Sequence, residues 1–208
     1  GISSEDERIV CGIHEDSRRV GKDWIFISRL GTKGEGKAYV REALDKGAVV
    51  IMEERCAMRD VYVCADVQKA LITLSSALYP RLCADLLCIG VTGTSGKSSV
   101  SAFLYQMLSA DMPCMRIGTH EVCGAGWREE IENTTPPLCE LIRLFEQARE
   151  EGARCVIMEV SSHAIAQQRI ALLRFDHLIY TNIKEDHLDF HRCTAHYRYT
   201  KYALRRYL

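Results

Sequence analysis

The chain has 208 residues, 47% hydrophobic and 26% charged, the composition of an ordinary globular protein with room for one large domain or two small ones. Its 27 basic and 28 acidic residues leave a formal net charge of −1, so no excess positive field draws it to nucleic acid or anionic lipid. Ten cysteines are scattered through apolar stretches with no C-x-x-C pair, which fits reduced, buried thiols rather than a zinc site or a disulfide framework. The start, GISSEDERIV, has no apolar signal core, and no apolar run is long enough to span a bilayer. The expectation is a cytoplasmic protein with no nucleic-acid or membrane partner.

Residues 24–28 (WIFIS) read as a strand, 38–46 as a helix closed by Gly47, and 48–53 (AVVIME) as a second strand, together a small β-α-β unit. A short strand at 61–64 leads into a helix over 67–79, which Pro80 ends. The domain boundary is placed there. Beyond it, 86–91 (LLCIGV) reads as a buried strand, followed by a Gly/Ser/Thr turn and an amphipathic helix over 97–108. A helix is expected over 138–149. Residues 155–160 (CVIMEV) and 177–181 (HLIYT) are apolar on both parities, as central strands of a parallel sheet are. The closing segment, TAHYRYTKYALRRYL, reads as a basic helix. The fold class is α/β: a small α/β domain over 1–80, then a domain over 81–208 built on a parallel sheet.

The strongest motif is VTGTSGKSS, residues 91–99, between a buried strand and a helix. A phosphate loop needs small residues so that backbone N–H groups converge on an anion, a helix N-terminus behind them, a lysine for the outer phosphates and a hydroxyl for Mg²⁺. Gly93, Thr94, Ser95 and Gly96 form such a loop, Lys97 supplies the charge, and Ser98 and Ser99 the hydroxyls. The general pattern G-x-x-x-x-G-K-[ST] asks for glycine where Val91 stands, with Gly93 inside the loop instead. ATP with Mg²⁺ is the expected cofactor pair.

In the form T-G-T-x-G-K-[ST], this loop resembles that of the Mur ligases, ATP-dependent enzymes that add amino acids to the peptidoglycan precursor. The likeness extends through ENTTP at 132–136, MEVSSHAIAQQR at 158–169, YTNIKEDHLDFH at 180–191 and Lys201. The set Ser161, Gln167 and Arg169 is similar to the subfamily that acts on UDP-N-acetylmuramoyl-L-alanyl-D-glutamate. Residues 16–48 resemble that family's uridine-nucleotide domain, which implies substrate contacts from Ser17 and from the loop Thr32, Lys33 and Gly34. Glu35 and Lys37 depart from the usual residues of that loop.

The resemblance implies that domain 1–80 binds the UDP end of the substrate and that 81–208 is an incomplete central ATPase domain. The resemblance further implies that a C-terminal domain, which selects the added amino acid in that family, is missing from this sequence. ATP would phosphorylate the D-glutamyl γ-carboxylate, and a free amino acid would attack the acyl phosphate. Ser98 and Glu159 are the expected Mg²⁺ ligands, being hard oxygen donors. Glu159 stands at the carboxyl end of its strand, where open α/β sheets bind ligands.

His187 resembles a histidine that helps position a second Mg²⁺. Lys201, fourteen residues later, matches a lysine carbamylated by CO₂ that then binds metal as an anion. On local pattern alone Lys201 reads as one more surface lysine of a basic helix. His187 and His191, spaced i, i+4, raise zinc only weakly, lacking a third ligand. Asn133, Thr134 and Thr135 would offer amide and hydroxyl groups to the substrate, and Arg169 a planar fork to a carboxylate. Lys97, His187 and Lys201 are the catalytic candidates. The chain is expected to be a monomer, truncated at both ends and unable to turn over alone. Two alternatives stand beside the amide ligase: a relative of folylpolyglutamate synthase, and a non-catalytic module binding a UDP-sugar peptide or nucleotide.

Overall fold

The computed structural model describes residues 9–29 and 36–208. The chain divides into two compact units, Gly1–Pro80 and Arg81–Leu208.

In the first unit, β1 (Gly12–His14), β2 (Trp24–Ile27), β3 (Val49–Met52) and β4 (Val61–Val63) form a four-stranded parallel sheet in sequence order. Helix α1 (Gly36–Asp45) turns Val40 and Ala43 onto Phe26, Val50 and Met52. Gly47, at φ 80°, closes it, because the left-handed turn there is cheap only without a Cβ. Helix α2 (Val67–Leu78) starts at Asp66, whose side chain accepts from Lys69 N, and stops before Pro80. β1 was not foreseen, since three residues carry too little pattern to separate a strand from a loop.

The second unit is a six-stranded sheet in the order β10-β5-β9-β6-β7-β8. Its parallel part comprises β5 (Leu87–Thr92), β6 (Cys114–Gly118), β9 (Cys155–Glu159) and β10 (His177–Tyr180). β7 (Glu121–Gly124) and β8 (Trp127–Glu130) extend it antiparallel. Helix α3 (Lys97–Leu108) lays Val100, Leu104 and Leu108 on Ile89, Val91 and Ile157. Helix α4 (Leu138–Glu150) buries Leu138, Leu141, Ile142, Leu144, Phe145 and Ala148, the i, i+3, i+4, i+7 stripe of a core-facing helix. Three short helices follow: α5 (Ser162–Ala166), α6 (Leu188–His191) and α7 (Thr194–Tyr202). The expected basic helix breaks after α7 into a 3₁₀ turn at Ala203–Tyr207. All ten cysteines are free, five of them buried, while Cys11 and Cys193 are exposed. Among the described residues no helix is long and apolar enough to cross a membrane.

Candidate active site

The carboxyl ends of β5, β6, β9 and β10 converge. β5 ends at Thr92, whose Oγ1 donates to Val160 O at 2.7 Å, and runs into residues 93–96, which close on the N-terminus of α3. This loop turns because Gly93 and Gly96 adopt φ of 153° and 83°. A Cβ on Gly93 would lie 1.9 Å from Thr181 Oγ1, so only glycine fits. The segment after β10 holds the loop from outside. Thr94 N donates to Asn182 O at 3.0 Å and Ser95 N to Asn182 Oδ1 at 3.1 Å. Asn182 Nδ2 and Thr181 Oγ1 donate to Ser95 O at 2.9 and 2.7 Å. Thr94 Oγ1 accepts from Lys184 N at 2.9 Å and lies 3.0 Å from the hydroxyl of buried Tyr197.

Two lysines lie against this loop. Lys97 Nζ donates to Gly93 O at 2.9 Å and Thr94 O at 3.1 Å. Lys201 Nζ, from α7, donates to Gly93 O at 2.9 Å, with Thr92 Oγ1 at 3.4 Å and the Tyr197 ring centroid at 5.1 Å. Lys201 is only 1% exposed, not the surface lysine that its local sequence suggests. Burial, and then the charge of Lys97, push its pKa down to about 8. Burial lowers that of Lys97 too.

Glu159, at the end of β9, is fully buried. Its Oε2 accepts from Ser98 Oγ at 2.8 Å and Thr119 Oγ1 at 3.0 Å. Its Oε1 accepts from Ser101 Oγ at 3.1 Å and Thr119 N at 3.2 Å, and lies 3.8 Å from Arg116 Nη2. Arg116 is held in turn by Nε to Ser101 Oγ at 3.1 Å and Nη1 to Glu121 Oε1 at 2.6 Å. That hydrogen bond keeps the Glu121 carboxyl below the usual carboxylate range.

Several of the residues singled out for substrate meet beside Glu159. Thr135 Oγ1 donates to Glu159 O and accepts from Ser161 N, both at 2.9 Å. Ser161 also caps α5 by accepting from Ala164 N at 3.2 Å. Arg169 Nη1 donates to Thr135 O at 2.8 Å, and its Nε to Gln167 Oε1 at 2.9 Å. Thr134 Oγ1 lies 3.2 Å from Thr119 Oγ1, and Asn133 is half-buried in the same turn.

His187 is exposed, takes φ 51°, and sets its Nε2 3.5 Å from Asp186 Oδ2. Its ring meets that of His163 edge-on at 4.9 Å, and His163 lies 4.2 Å from Phe190. His191 instead is fully buried, with neither ring nitrogen hydrogen-bonded. Among the described residues no group of three or more His, Cys, Asp and Glu is set to hold a metal.

In the first unit, Ser17 lies in a 3₁₀ turn capped by Asp16. A side-chain hydrogen bond from Arg18 lowers the Asp16 pKa to about 2. Ser17 is buried, its Oγ donating to Glu42 Oε2 at 2.6 Å, and Lys46 Nζ donates to Ser17 O at 2.8 Å. Thr32, Lys33 and Gly34 lie outside the described residues.

Arg116, Ser101, Thr119, Asn182 and Tyr197 were not singled out from sequence. Asn182 and Tyr197 lie inside segments that were, at 180–191 and 194–208, whereas Arg116 interrupts the apolar run of β6 and so hides both the strand and itself.

The family model described as Mur ligase middle domain matches residues 91–208. Over 202 residues the chain is 34% identical to the UDP-N-acetylmuramoyl-L-alanyl-D-glutamate--2,6-diaminopimelate ligase of Fusobacterium nucleatum, covering 95% of this chain and 41% of that protein. Over 207 residues it is 36% identical to the ligase of the same name from Parabacteroides distasonis, covering 94% and 42%. A solved structure of a UDP-N-acetylmuramoyl-L-alanyl-D-glutamate--2,6-diaminopimelate ligase matches with a TM-score of 0.79 at 26% identity, over 95% of this chain and 41% of that one. The fold is shared with MurF ligase from Thermotoga maritima, solved in complex with ADP, at a TM-score of 0.62 and 18% identity over 91% of this chain and 41% of that one. The chain thus spans about two fifths of the length of these relatives.

Proposed function

Because the chain belongs to the Mur ligase family, we propose that it carries the substrate-nucleotide and phosphate-loop portions of a cytoplasmic, ATP-dependent amide ligase. Its substrates are UDP-N-acetylmuramoyl-L-alanyl-D-glutamate and a free amino acid. Unit Gly1–Pro80 binds the UDP end, with Ser17 in the contact turn, and unit Arg81–Leu208 binds ATP.

Joining a carboxylate to an amine at neutral pH requires a leaving group on the carboxylate. In the proposed reaction the γ-phosphoryl group of ATP passes to the D-glutamyl γ-carboxylate, giving an acyl phosphate and ADP. The amine nitrogen then attacks the acyl carbon, the bond to the phosphate oxygen breaks, and the amine proton leaves to solvent. The first step brings two anions together and the second builds negative charge on the acyl oxygen, so the site must supply fixed positive charge and oriented N–H groups. The backbone of Gly93, Thr94, Ser95 and Gly96, the N-terminus of α3 and Lys97 supply these, with Ser99 in the first turn.

The donors around Glu159 fit a hard cation: a carboxylate oxygen and two hydroxyls, too few to enclose it, as Mg²⁺ sites that keep waters and phosphate oxygens require. Ser98, Glu159 and Lys201 as a carbamate would hold it, with His187 beside them. Mg²⁺, when bound, offsets charge between the two phosphate-bearing anions. Lys201 suits carbamylation because burial and its neighbour Lys97 disfavour the ammonium form, leaving an amine lone pair for CO₂. The side chains of Asn133, Thr134 and Arg169 then face the substrate's acidic groups, with Thr135, Ser161 and Gln167 fixing their frame.

The observation that carries this reading is that Lys97, Lys201 and Glu159 all close on the turn from β5 into α3. Calorimetric titration tests it: Mg²⁺-ADP and the UDP-muramoyl dipeptide should each bind. Failure of the dipeptide, with binding of a folate instead, would replace this reading by that of a folylpolyglutamate synthase relative.

A further inference from the structure

We propose that Arg116 sets the cation selectivity of the Glu159 site by closing off one carboxylate oxygen, through its nearby guanidinium and through the Ser101 hydroxyl it holds, so that only the other is open to a cation, an arrangement that favours Mg²⁺ over Ca²⁺. This rests on the reading that Ser98 and Glu159 hold a divalent cation.

The two oxygens of Glu159 have different partners. Oε2 accepts only from the hydroxyls of Ser98 and Thr119, whose protons rotate away to offer lone pairs to a cation. Oε1 accepts from Ser101 Oγ at 3.1 Å and Thr119 N at 3.2 Å and lies 3.8 Å from the Arg116 guanidinium. A backbone N–H is fixed and a guanidinium has no lone pair to give, and the Ser101 oxygen is itself tied down by accepting from Arg116 Nε at 3.1 Å.

Arg116 cannot swing aside either. It is 6% exposed, and Ser101 Oγ and Glu121 Oε1 hold its Nε and Nη1 at 3.1 and 2.6 Å. The packing leaves no slack, because a Cβ on Gly118 would stand 2.7 Å from both Arg116 Nη2 and Glu159 Oε1. Glu159 therefore presents a single oxygen. Mg²⁺ accepts one carboxylate oxygen and completes an octahedron with water and phosphate, whereas Ca²⁺ takes six to eight oxygens and often both of a carboxylate.

The test is calorimetric titration of ADP into the full chain in EDTA, in Mg²⁺ and in Ca²⁺, for the wild type, Arg116→Met and Glu121→Gln. In the wild type Mg²⁺ should strengthen ADP binding more than Ca²⁺ does. In Arg116→Met the ratio of the two enhancements should fall by roughly tenfold or more, the scale on which outer partners of a ligand act, with affinity in EDTA unchanged. Glu121→Gln, which loosens the guanidinium from its exposed side, should shift the ratio in the same direction and less far. An unchanged ratio in a folded Arg116→Met, or in Glu121→Gln should Arg116→Met not fold, overturns the proposal. If neither cation alters ADP binding to the wild type, the metal reading itself fails and this inference with it.

Discussion

Lys97 and Lys201 both donate to the carbonyl oxygen of Gly93, each at 2.9 Å. Two cations on one acceptor repel, and Lys201, the more deeply buried, has its pKa pushed from the ordinary 10.5 to about 8 by burial first and by Lys97 second. Uptake of CO₂ consumes the neutral amine and releases a proton. At constant dissolved CO₂, the carbamate signal in ¹³C spectra should therefore grow as pH rises through about 8, and Lys201→Met should show none. The same shift links to folding. Between about 8 and 10.5 the unfolded chain binds the proton that the folded chain has lost, so stability rises with pH across that window. Denaturant unfolding at the two ends of the window should show a slope that Lys201→Met removes.

Gly93→Ala should be severe for a reason confined to the loop. The new methyl would stand 1.9 Å from Thr181 Oγ1 and 3.0 Å from Asn182 O, at φ 153°. The backbone conformation alone costs about 1–3 kcal/mol, and the segment after β10 must also retreat. A lower melting temperature together with loss of ADP binding is expected. Retention of wild-type ADP affinity would show that the loop does not need its clamp.

The clamp can be tested more gently. Asn182→Ala removes the side-chain bonds to Ser95 N and Ser95 O but keeps the backbone bond from Thr94 N. At about 1 kcal/mol for each of the two net hydrogen bonds, ADP affinity should fall by up to roughly thirtyfold while the chain stays folded. Asn182→Asp should be worse than Asn182→Ala, because a second carboxylate oxygen would face Ser95 O. Equal affinities for the two variants would argue against a role for the amide.

Much of this site was legible because its pattern is local. An apolar run, a Gly/Ser/Thr turn and a helix in succession mark the path from β5 through the loop to α3 without any knowledge of the rest. What stayed hidden depends on tertiary packing. Lys201 sits in a segment whose charges describe a solvated helix, and only the docking of α7 near Gly93 buries it. β6 carries Arg116 at its centre, and β8 alternates without an apolar face, its residues half-buried or exposed, so neither offers a strand signal. α5 is five residues long, too short for any helical period to appear.

Thr135 provides a last test, since its hydroxyl joins the strand bearing Glu159 to the helix bearing His163. Itself buried, it donates to Glu159 O and accepts from Ser161 N, both at 2.9 Å. Thr135→Val keeps the volume and removes the hydroxyl, leaving the half-buried Ser161 N–H and the buried Glu159 C=O without that partner. Stability should drop by about 1–3 kcal/mol, read as a lower denaturation midpoint with an unchanged slope. Thr135→Ser keeps the hydroxyl and loses only a methyl, so it should recover most of the loss. Binding of the UDP-muramoyl dipeptide should follow the same order, because Arg169 is anchored on the carbonyl of this residue and moves with it. If Thr135→Val lowers stability but leaves dipeptide affinity at the wild-type level, Thr135 and Arg169 serve the fold and not the substrate.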